Sequence, residues 1–248
     1  MELIAHRGES ADAPENTLAA FRLAWDRQVS AIELDVHLTR DGEAIVCHDP
    51  DTQRTTGTLR MIKDTPLSDL RALDAGTWKG PAWAGEKLPT LAEVLATIPN
   101  HGRCYIEIKV GQEAVPAVAE AIRASGKRSE QLAIMSFNAS TVAAARRRLP
   151  DVPAYFLAEF EQDQATGDWA PTADVLIAQA RAVRADGLHV SHEGPLDRAF
   201  VRTVKAAGLA LYVWTVDDAI VARRIVELGV DGITTNKAAW MKEQLKKA

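Results

Sequence analysis

Two β-rich segments of the chain carry ionisable residues at every second position. Glu33 and Asp35 alternate with aliphatic residues in the segment 32–36, and Glu107 and Lys109 do the same in the segment 105–110. Because successive side chains of a strand point to opposite faces, each segment has one aliphatic and one ionic face. Three carboxylates gathered in one closed site are unfavourable unless a cation or a reaction compensates them. The pattern therefore predicts a metal site.

A recurring cycle of a β-rich run and an Ala-rich amphipathic segment predicts the elements that hold these residues. Strands are predicted at residues 3–5, 31–36, 104–109, 132–136, 154–157, 187–190, 210–214 and 232–235. Eight such units favour an α/β fold, a TIM-type (β/α)8 barrel, in which active-site residues lie at the carboxyl ends of the strands. Helix signals agree, since Thr90 and Glu93 form a capping-box pattern and Gly208 and Gly229 stand where helices should end. A final helix is predicted over residues 238–247.

A hairpin is predicted directly after the second strand. The pair Asp41-Gly42 between two β-rich runs is typical of a two-residue turn. Such a turn pairs Arg40 with Glu43 and, counting back, places His48 opposite Asp35.

The segment 49–89 interrupts the cycle a second time. It is rich in Thr, Gly, Pro and Asp and contains one predicted short helix near residues 68–73. Long structured loops in compact domains are often lids or substrate walls. We therefore predict a small insertion within a single barrel domain that spans residues 1–248.

The bulk composition restricts the class of protein. The hydrophobic content of 47% is enough to fill the core of a barrel of this size. The net charge of −5 argues against nucleic-acid partners. Cys47 and Cys104 are too few for a disulfide framework and indicate a reducing compartment. The sequence shows neither a signal-like leader nor an apolar run of about 18 residues. We expect a cytoplasmic protein without stable membrane insertion.

The barrel rule brings many ionisable residues together at one end. The residues so selected are His6, Arg7, Glu33, Asp35, His48, Glu107, Lys109 and Trp214. Hard oxygen ligands suit Mg²⁺ or Ca²⁺ better than zinc. A divalent ion with Arg7 and Lys109 would neutralise a phosphoryl group, and His6 and His48 would act as base and acid around it. This layout is suited to cleaving phosphodiesters.

Several of these residues also have purely structural interpretations. A histidine at a strand end is commonly held by one backbone carbonyl, and this interpretation is given to His37, His101, His189 and His192. Trp214 and Phe137, both at predicted strand ends, are more often packing residues than ligand contacts. Arg7 could simply pair with Glu33, and Lys109 with Glu107. Glu15 and Asn16 could serve only as a helix cap.

Seven short motifs occur in a characteristic order along nearly the whole chain. They are His6-Arg7-Gly8, Pro14-Glu15-Asn16-Thr17, Glu33-Leu34-Asp35-Val36, Thr39-Arg40-Asp41-Gly42, His48-Asp49, Glu107-Ile108-Lys109 and Trp214-Thr215-Val216. In order and spacing they resemble the glycerophosphodiester phosphodiesterases, of the bacterial cytoplasmic type. The segment 49–89 is similar to the insertion of that family. One departure is Thr234-Thr235-Asn236-Lys237, where the family often has Asp followed shortly by Pro.

The resemblance implies a role for each matching residue. The implied ligands of one divalent cation, Mg²⁺ or Ca²⁺, are Glu33, Asp35 and Glu107. The implied acid/base pair is His6 and His48. The candidates for binding substrate or phosphate are Arg7, Lys109, Trp214 and, from its strand-end position, Phe137. The implied reaction is hydrolysis of small glycerophosphodiesters, such as glycerophosphocholine or glycerophosphoethanolamine, to sn-glycerol 3-phosphate and an alcohol, in glycerol and lipid metabolism.

Other functions remain open alternatives. A lysophospholipase D or another phosphodiesterase would use the same site, but the insertion contains Trp78 and Trp83 without a long apolar face, which favours a small substrate. A non-catalytic phosphate-ligand binding barrel would be expected to lose at least one catalytic residue. Proton abstraction next to a carboxylate gives no role to the two histidines. Water and the glycerol 2-hydroxyl both remain candidates for the first nucleophile, and a homodimer remains open.

Overall fold

The protein, described here over residues 1–246 by a computed structural model, is built on a closed barrel of parallel strands. In chain order the strands are β1 Glu2–Ala5, β2 Ala31–Leu38, β3 Ala44–Val46, β4 Arg103–Ile108, β5 Leu132–Ser136, β6 Ala154–Ala158, β7 Glu161–Gln162, β8 Trp169–Ala170, β9 Gly187–Ser191, β10 Ala210–Trp214 and β11 Gly232–Thr235. Eight of them (β1, β2, β4, β5, β6, β9, β10 and β11) form the barrel, which closes because β1 pairs with both β2 and β11. The predicted (β/α)8 fold is confirmed.

Helices lie between the strands. They are α1 Leu18–Asp26, α2 Gln53–Thr56, α3 Leu67–Ala72, α4 Leu91–Thr97, α5 Val115–Ser125, α6 Ala139–Arg148, α7 Ala173–Ala182, α8 Arg198–Ala206, α9 Ala219–Glu227 and α10 Ala238–Lys246. The capping box predicted at Thr90 and Glu93 begins α4. Residue 247, the predicted end of the last helix, lies outside the described residues. Within residues 1–246, no helix has the length and apolarity needed to cross a membrane.

The side chains of the barrel strands point alternately outward and inward, so the hydrophobic core has two parts. Outward side chains such as Ile32, Leu34 and Ile106 pack against the helices and are fully buried. Inward side chains near the amino-terminal end of the barrel are large, and the rings of Tyr155 and Tyr212 lie 5.0 Å apart there. Because these rings fill that end, the open cavity and the predicted site residues lie at the carboxyl end of the strands.

The hairpin after β2 forms, but the predicted pairing of Arg40 with Glu43 is wrong. Glu43 pairs instead with Thr39, whose backbone N–H donates to the Glu43 carbonyl over 3.0 Å. The turn therefore contains three residues rather than two, and its last residue, Gly42, has a φ of 85°. A left-handed glycine is the usual third residue of such a turn.

The additional turn residue also shifts the pairing of the chain after the turn along β2 by one residue. The Cys47 backbone N–H donates to the Asp35 carbonyl over 3.0 Å, so Cys47, and not His48, lies opposite Asp35. His48 follows as the first residue beyond this pair. It nevertheless reaches the mouth of the barrel, where it lines a cavity at the carboxyl ends of the strands.

The segment after β3 is a packed insertion. It contains α2 and α3, and its side chains build a small hydrophobic cluster with the hairpin, made of Ile45, Cys47, Ile62, Leu70, Ala75 and Leu88. An isolated antiparallel β-bridge joins Asp51 to Met61 near the start of the insertion. The predicted combination of a barrel, a hairpin and an insertion after the second strand is thus confirmed.

Candidate active site

The carboxyl ends of the barrel strands surround a cavity of about 300 Å³. The candidate residues that line it are His6, Arg7, Glu33, His48, Glu107, Lys109, Phe137 and Trp214. Asp35, the remaining candidate, contacts Arg7 and Lys109 of this lining and is itself 1% exposed. The structure therefore brings all the predicted site residues together.

Three buried carboxylates form the acid triad Glu33, Asp35 and Glu107. Glu33 and Asp35 share one face of β2, and Glu107 on β4 is the direct neighbour of Asp35 in the sheet register. One oxygen from each residue lies within 4.8 Å of the others. Burial and the two neighbouring carboxylates raise the pKa of Glu33 well above its usual value, and burial with the charge of Asp35 raises the pKa of Glu107 to about 7.

The acid triad fits a divalent cation. Asp35 Oδ1 is buried and has no hydrogen-bond partner among residues 1–246, as expected of an oxygen that serves as a ligand. Carboxylate oxygens are the ligands that Mg²⁺ and Ca²⁺ prefer. A bound cation would also relieve the mutual repulsion that raises the pKa values of Glu33 and Glu107.

Arg7 ties the first two strands together. Its backbone N–H donates to Glu33 Oε2 over 3.0 Å, and its guanidinium Nε lies 3.2 Å from Asp35 Oδ2. A second guanidinium nitrogen donates to Glu15 over 2.9 Å. Lys109 completes the cationic side of the site, with its Nζ 2.9 Å from Glu107 Oε1 and 3.6 Å from Asp35 Oδ1.

Each of the two candidate catalytic histidines has a polar partner on Nδ1. His6 Nδ1 lies 2.8 Å from the side-chain oxygen of Asn236, and His48 Nδ1 lies 2.7 Å from Asp49 Oδ1. Burial, helped by the charge of Arg7, lowers the pKa of His6 to about 4, so its imidazole is neutral near pH 7. In both rings the bond at Nδ1 leaves Nε2 available to a ligand in the cavity.

An aromatic wall faces the ionic side of the cavity. Trp214 ends β10, Phe137 follows β5, and their rings meet edge to face with centroids 5.8 Å apart. Phe137 is 45% exposed, although a large aromatic side chain is usually buried. Met135 and Leu157 extend this apolar half of the cavity.

The other histidines differ in position. His37 Nε2 lies 3.1 Å from the His48 carbonyl, the kind of contact predicted for a structural histidine. His189 is buried at the cavity floor, where its ring nitrogens contact Thr234 Oγ1 and Met135 Sδ, both at 3.0 Å. Burial, with a smaller contribution from His6, lowers the pKa of His189 to about 3.

The residues that form hydrogen bonds to Asp35 and Arg7 were not predicted from the sequence. Asn16, interpreted as a possible helix cap, donates to Asp35 Oδ2 over 2.8 Å, while Thr17 caps α1. Glu15 accepts bonds from Arg7 and Arg54, which outweigh the effect of burial and lower its pKa to about 2. The Pro-Glu-Asn-Thr motif was the available signal, but its polar residues are equally compatible with an ordinary helix start.

A second depression adjoins the main cavity and has a volume of about 460 Å³. It shares His6 and Arg7 with the main cavity and is walled by Trp78 and Lys79 of the insertion and by Lys237 after β11. Lys79 Nζ donates to the Ser10 carbonyl over 2.7 Å, which fixes the insertion against the loop after β1.

A (β/α)8 barrel with an acid triad, two cations and two histidines at its strand ends defines a class of phosphate-handling enzymes. The sequence profile of the glycerophosphoryl diester phosphodiesterase family matches residues 6–239. The chain belongs to this family of enzymes.

Individual relatives agree. The Bacillus subtilis (strain 168) protein YhdW is 35% identical over 241 residues, which cover 95% of this chain and 94% of YhdW. A glycerophosphodiester phosphodiesterase of Caldanaerobacter subterraneus subsp. tengcongensis is 34% identical over 238 residues, which cover 94% of this chain and 93% of that protein. An Oleispira antarctica phosphodiesterase, solved with the product sn-glycerol-3-phosphate, superimposes with a TM-score of 0.90 at 28% identity and covers 99% of this chain and 97% of its own.

Proposed function

We propose that the protein hydrolyses small glycerophosphodiesters, such as glycerophosphocholine or glycerophosphoethanolamine, to sn-glycerol 3-phosphate and an alcohol. The observation that carries this proposal is the meeting of the acid triad, two cations and two histidines in one cavity of about 300 Å³. The family relationship and the product bound to the Oleispira antarctica enzyme support it.

Charge balance supports one divalent ion, Mg²⁺ or Ca²⁺, held by Glu33, Asp35 and Glu107. Three carboxylates and the side chains of Arg7 and Lys109 leave one negative charge, which one divalent ion would turn into one positive charge. A phosphodiester carries a single negative charge, so the loaded site would match it. The ion, when bound, would polarise the phosphoryl oxygens as a Lewis acid.

We assign different roles to the two histidines from their Nδ1 partners. His6 is held by a neutral amide, and its Nε2 lone pair would accept the proton of the nucleophile. His48 is held by the Asp49 carboxylate at Nδ1, and we assign it the role of the acid that protonates the leaving alkoxide. Arg7 and Lys109 would contact the phosphate from the side of the acid triad.

The two depressions suggest where the halves of the substrate lie. The glycerol half would pack against Phe137 and Trp214, and the leaving alcohol would occupy the second depression beside Trp78 and Lys79. The insertion, residues 49–89 of the single barrel domain, would thus form a substrate wall. We also infer a cytoplasmic enzyme of glycerol and lipid metabolism, which the two free, buried cysteines support.

The test is release of sn-glycerol 3-phosphate from glycerophosphocholine by protein stripped of metal, with Mg²⁺ or Ca²⁺ then added back. Glu107→Ala should lose the metal-dependent release, while the matched control Glu120→Ala, exposed on α5, should keep it. Measurable metal binding without release from any simple glycerophosphodiester would contradict the proposal and favour a phosphodiesterase for larger substrates.

A further inference from the structure

Asn236 lies between His6 and a carboxylate that has no contact with the main cavity. Its side-chain oxygen is 2.8 Å from His6 Nδ1, and its side-chain nitrogen is 2.6 Å from Asp217 Oδ2. Asp217 is held in turn by the Asn236 backbone N–H at 2.9 Å and by the Thr235 hydroxyl at 2.8 Å, both on Oδ1. The three side chains form a chain of hydrogen bonds from the rim of the barrel to the imidazole.

The carboxylate determines which end of the Asn236 amide faces His6. An ionised carboxylate only accepts hydrogen bonds, so the amide NH₂ must point to Asp217 and the amide oxygen to His6. An amide oxygen also only accepts, so His6 Nδ1 must carry the proton. The second ring nitrogen, Nε2, is then left with a lone pair, 4.0 Å from Glu33 Oε2.

The Ser10 hydroxyl does not by itself fix the orientation of the Asn236 amide. The Ser10 hydroxyl lies 2.7 Å from the His6 carbonyl and 3.0 Å from the Asn236 side-chain oxygen, but it has one proton for two acceptors. If that proton goes to the His6 carbonyl, Ser10 would favour the amide NH₂ on its side. The shorter, charge-assisted bond to Asp217 outweighs this preference.

We propose that Asp217 and Asn236 are positioning residues that hold His6 in the Nδ1–H tautomer, and so direct the Nε2 lone pair toward the substrate. The consequence for catalysis rests on the proposed role of His6 as the base. Only a ring with a free Nε2 lone pair can take a proton there, so the wrong tautomer removes the base without moving the ring. A carboxylate that fixes the tautomer of a catalytic histidine has this effect in serine proteases.

The tautomer can be measured without substrate. In the full-length protein with ¹⁵N-labelled histidine and Mg²⁺ present, two-bond ¹H–¹⁵N spectra distinguish a protonated from an unprotonated ring nitrogen, and His6→Gln identifies the His6 signals. We expect Nδ1 protonated and Nε2 unprotonated near pH 7. An Nε2–H ring or an even mixture in the unmodified protein would overturn the inference, with no dependence on any variant.

Asp217→Asn should reverse the tautomer. Its oxygen would remain on the Asn236 backbone N–H, and its new NH₂ would face the Asn236 side chain, which must then turn its own oxygen outward. The Asn236 NH₂ would then donate both to Ser10 and to His6 Nδ1, which places the ring proton on Nε2. We expect kcat to fall at least about 100-fold, as for loss of a general base, while KM changes less than about 3-fold.

Asp218→Asn is the matched control. Asp218 caps α9 by accepting bonds from Ile220 and Val221, a role that asparagine also fills, so activity and tautomer should stay as in the unmodified protein. Asp217→Asn with an unchanged tautomer, or with an unchanged kcat, would refute the inference. If the tautomers follow expectation but the unmodified protein cleaves no glycerophosphodiester, the proposed function fails and the positioning role stands.

Discussion

Replacing Glu33 by glutamine tests whether the acid triad strains the metal-free protein. The side chains of Arg7 and Lys109 contact the other two carboxylates of the triad, Asp35 and Glu107. Among the described residues, the hydrogen-bond and ion-pair partners of the Glu33 carboxylate are the Arg7 backbone N–H at 3.0 Å and the His6 ring at 4.0 Å. Glutamine keeps the shape, can accept the Arg7 bond through its oxygen, and removes one buried charge.

The expected gain in stability follows from the distances between the three carboxylates. Each neighbouring carboxylate within 4.8 Å repels Glu33 by about 3 kcal/mol or more at an effective dielectric constant near 20. The side chains of Arg7 and Lys109 offset most of this repulsion, and uptake of a proton by Glu33 limits the remainder. We therefore expect Glu33→Gln to raise the free energy of unfolding by about 2 kcal/mol. For a domain of this size that corresponds to a rise in Tm of about 4–8 °C.

The pH dependence has a definite sign. Burial and the two carboxylates raise the pKa of Glu33 in the folded protein above its ordinary value of 4.5, so the folded state binds more protons than the unfolded state as pH rises above that value. The metal-free protein should therefore lose stability with rising pH over this window, whereas Glu33→Gln should lose less. The advantage of the variant should be larger at pH 8 than at pH 6.

Thermal unfolding followed by circular dichroism provides the assay. Both proteins are measured in EDTA at pH 6 and pH 8, and again with Mg²⁺ or Ca²⁺, with Glu120→Gln as the surface control. The unmodified protein should gain stability with the cation, and Glu33→Gln should gain less and have no turnover. A Glu33→Gln Tm at or below that of the unmodified protein in EDTA at pH 8 would refute the reasoning.

Three further predictions concern single residues. His48→Ala should lower kcat by about 10²- to 10⁴-fold while keeping the cation-induced rise in Tm, and retained turnover would contradict its assignment as the acid. Phe137→Ala should raise KM several-fold and change the free energy of unfolding by less than about 1 kcal/mol, because the ring is 45% exposed; an unchanged KM would remove Phe137 from the substrate site. His189 has its pKa lowered from 6.5 to about 3, so the unfolded state takes up its proton first and stability is lost as pH falls through this range. Between pH 7 and pH 4.5 the unmodified protein should lose about 3 kcal/mol from this residue, and His189→Gln should show a shallower acid slope in urea unfolding; equal slopes would contradict the buried, neutral ring.

Local patterns in the sequence were sufficient for the barrel and for the acid triad. The period-two alternation around Glu33 and Glu107 is a local pattern of neighbouring residues, and it does not depend on tertiary contacts. The rule that barrel sites lie at the carboxyl ends of strands then placed these residues together. The hairpin register was predicted incorrectly because a two-residue and a three-residue turn differ only in contacts that Thr39 makes after folding.

The residues that hold the proposed catalytic groups could be identified only from the tertiary structure. Asn236 lies 230 positions from His6 in the sequence and reaches it only because β11 pairs with β1 to close the barrel. Asn16, 19 positions before Asp35, bonds to it only because the loop before α1 folds back over β2. A side chain that donates or accepts a single hydrogen bond leaves no periodic pattern in the sequence. The sequence was therefore enough to identify the residues able to react, whereas the partners that hold them in place depend on the closure of the barrel.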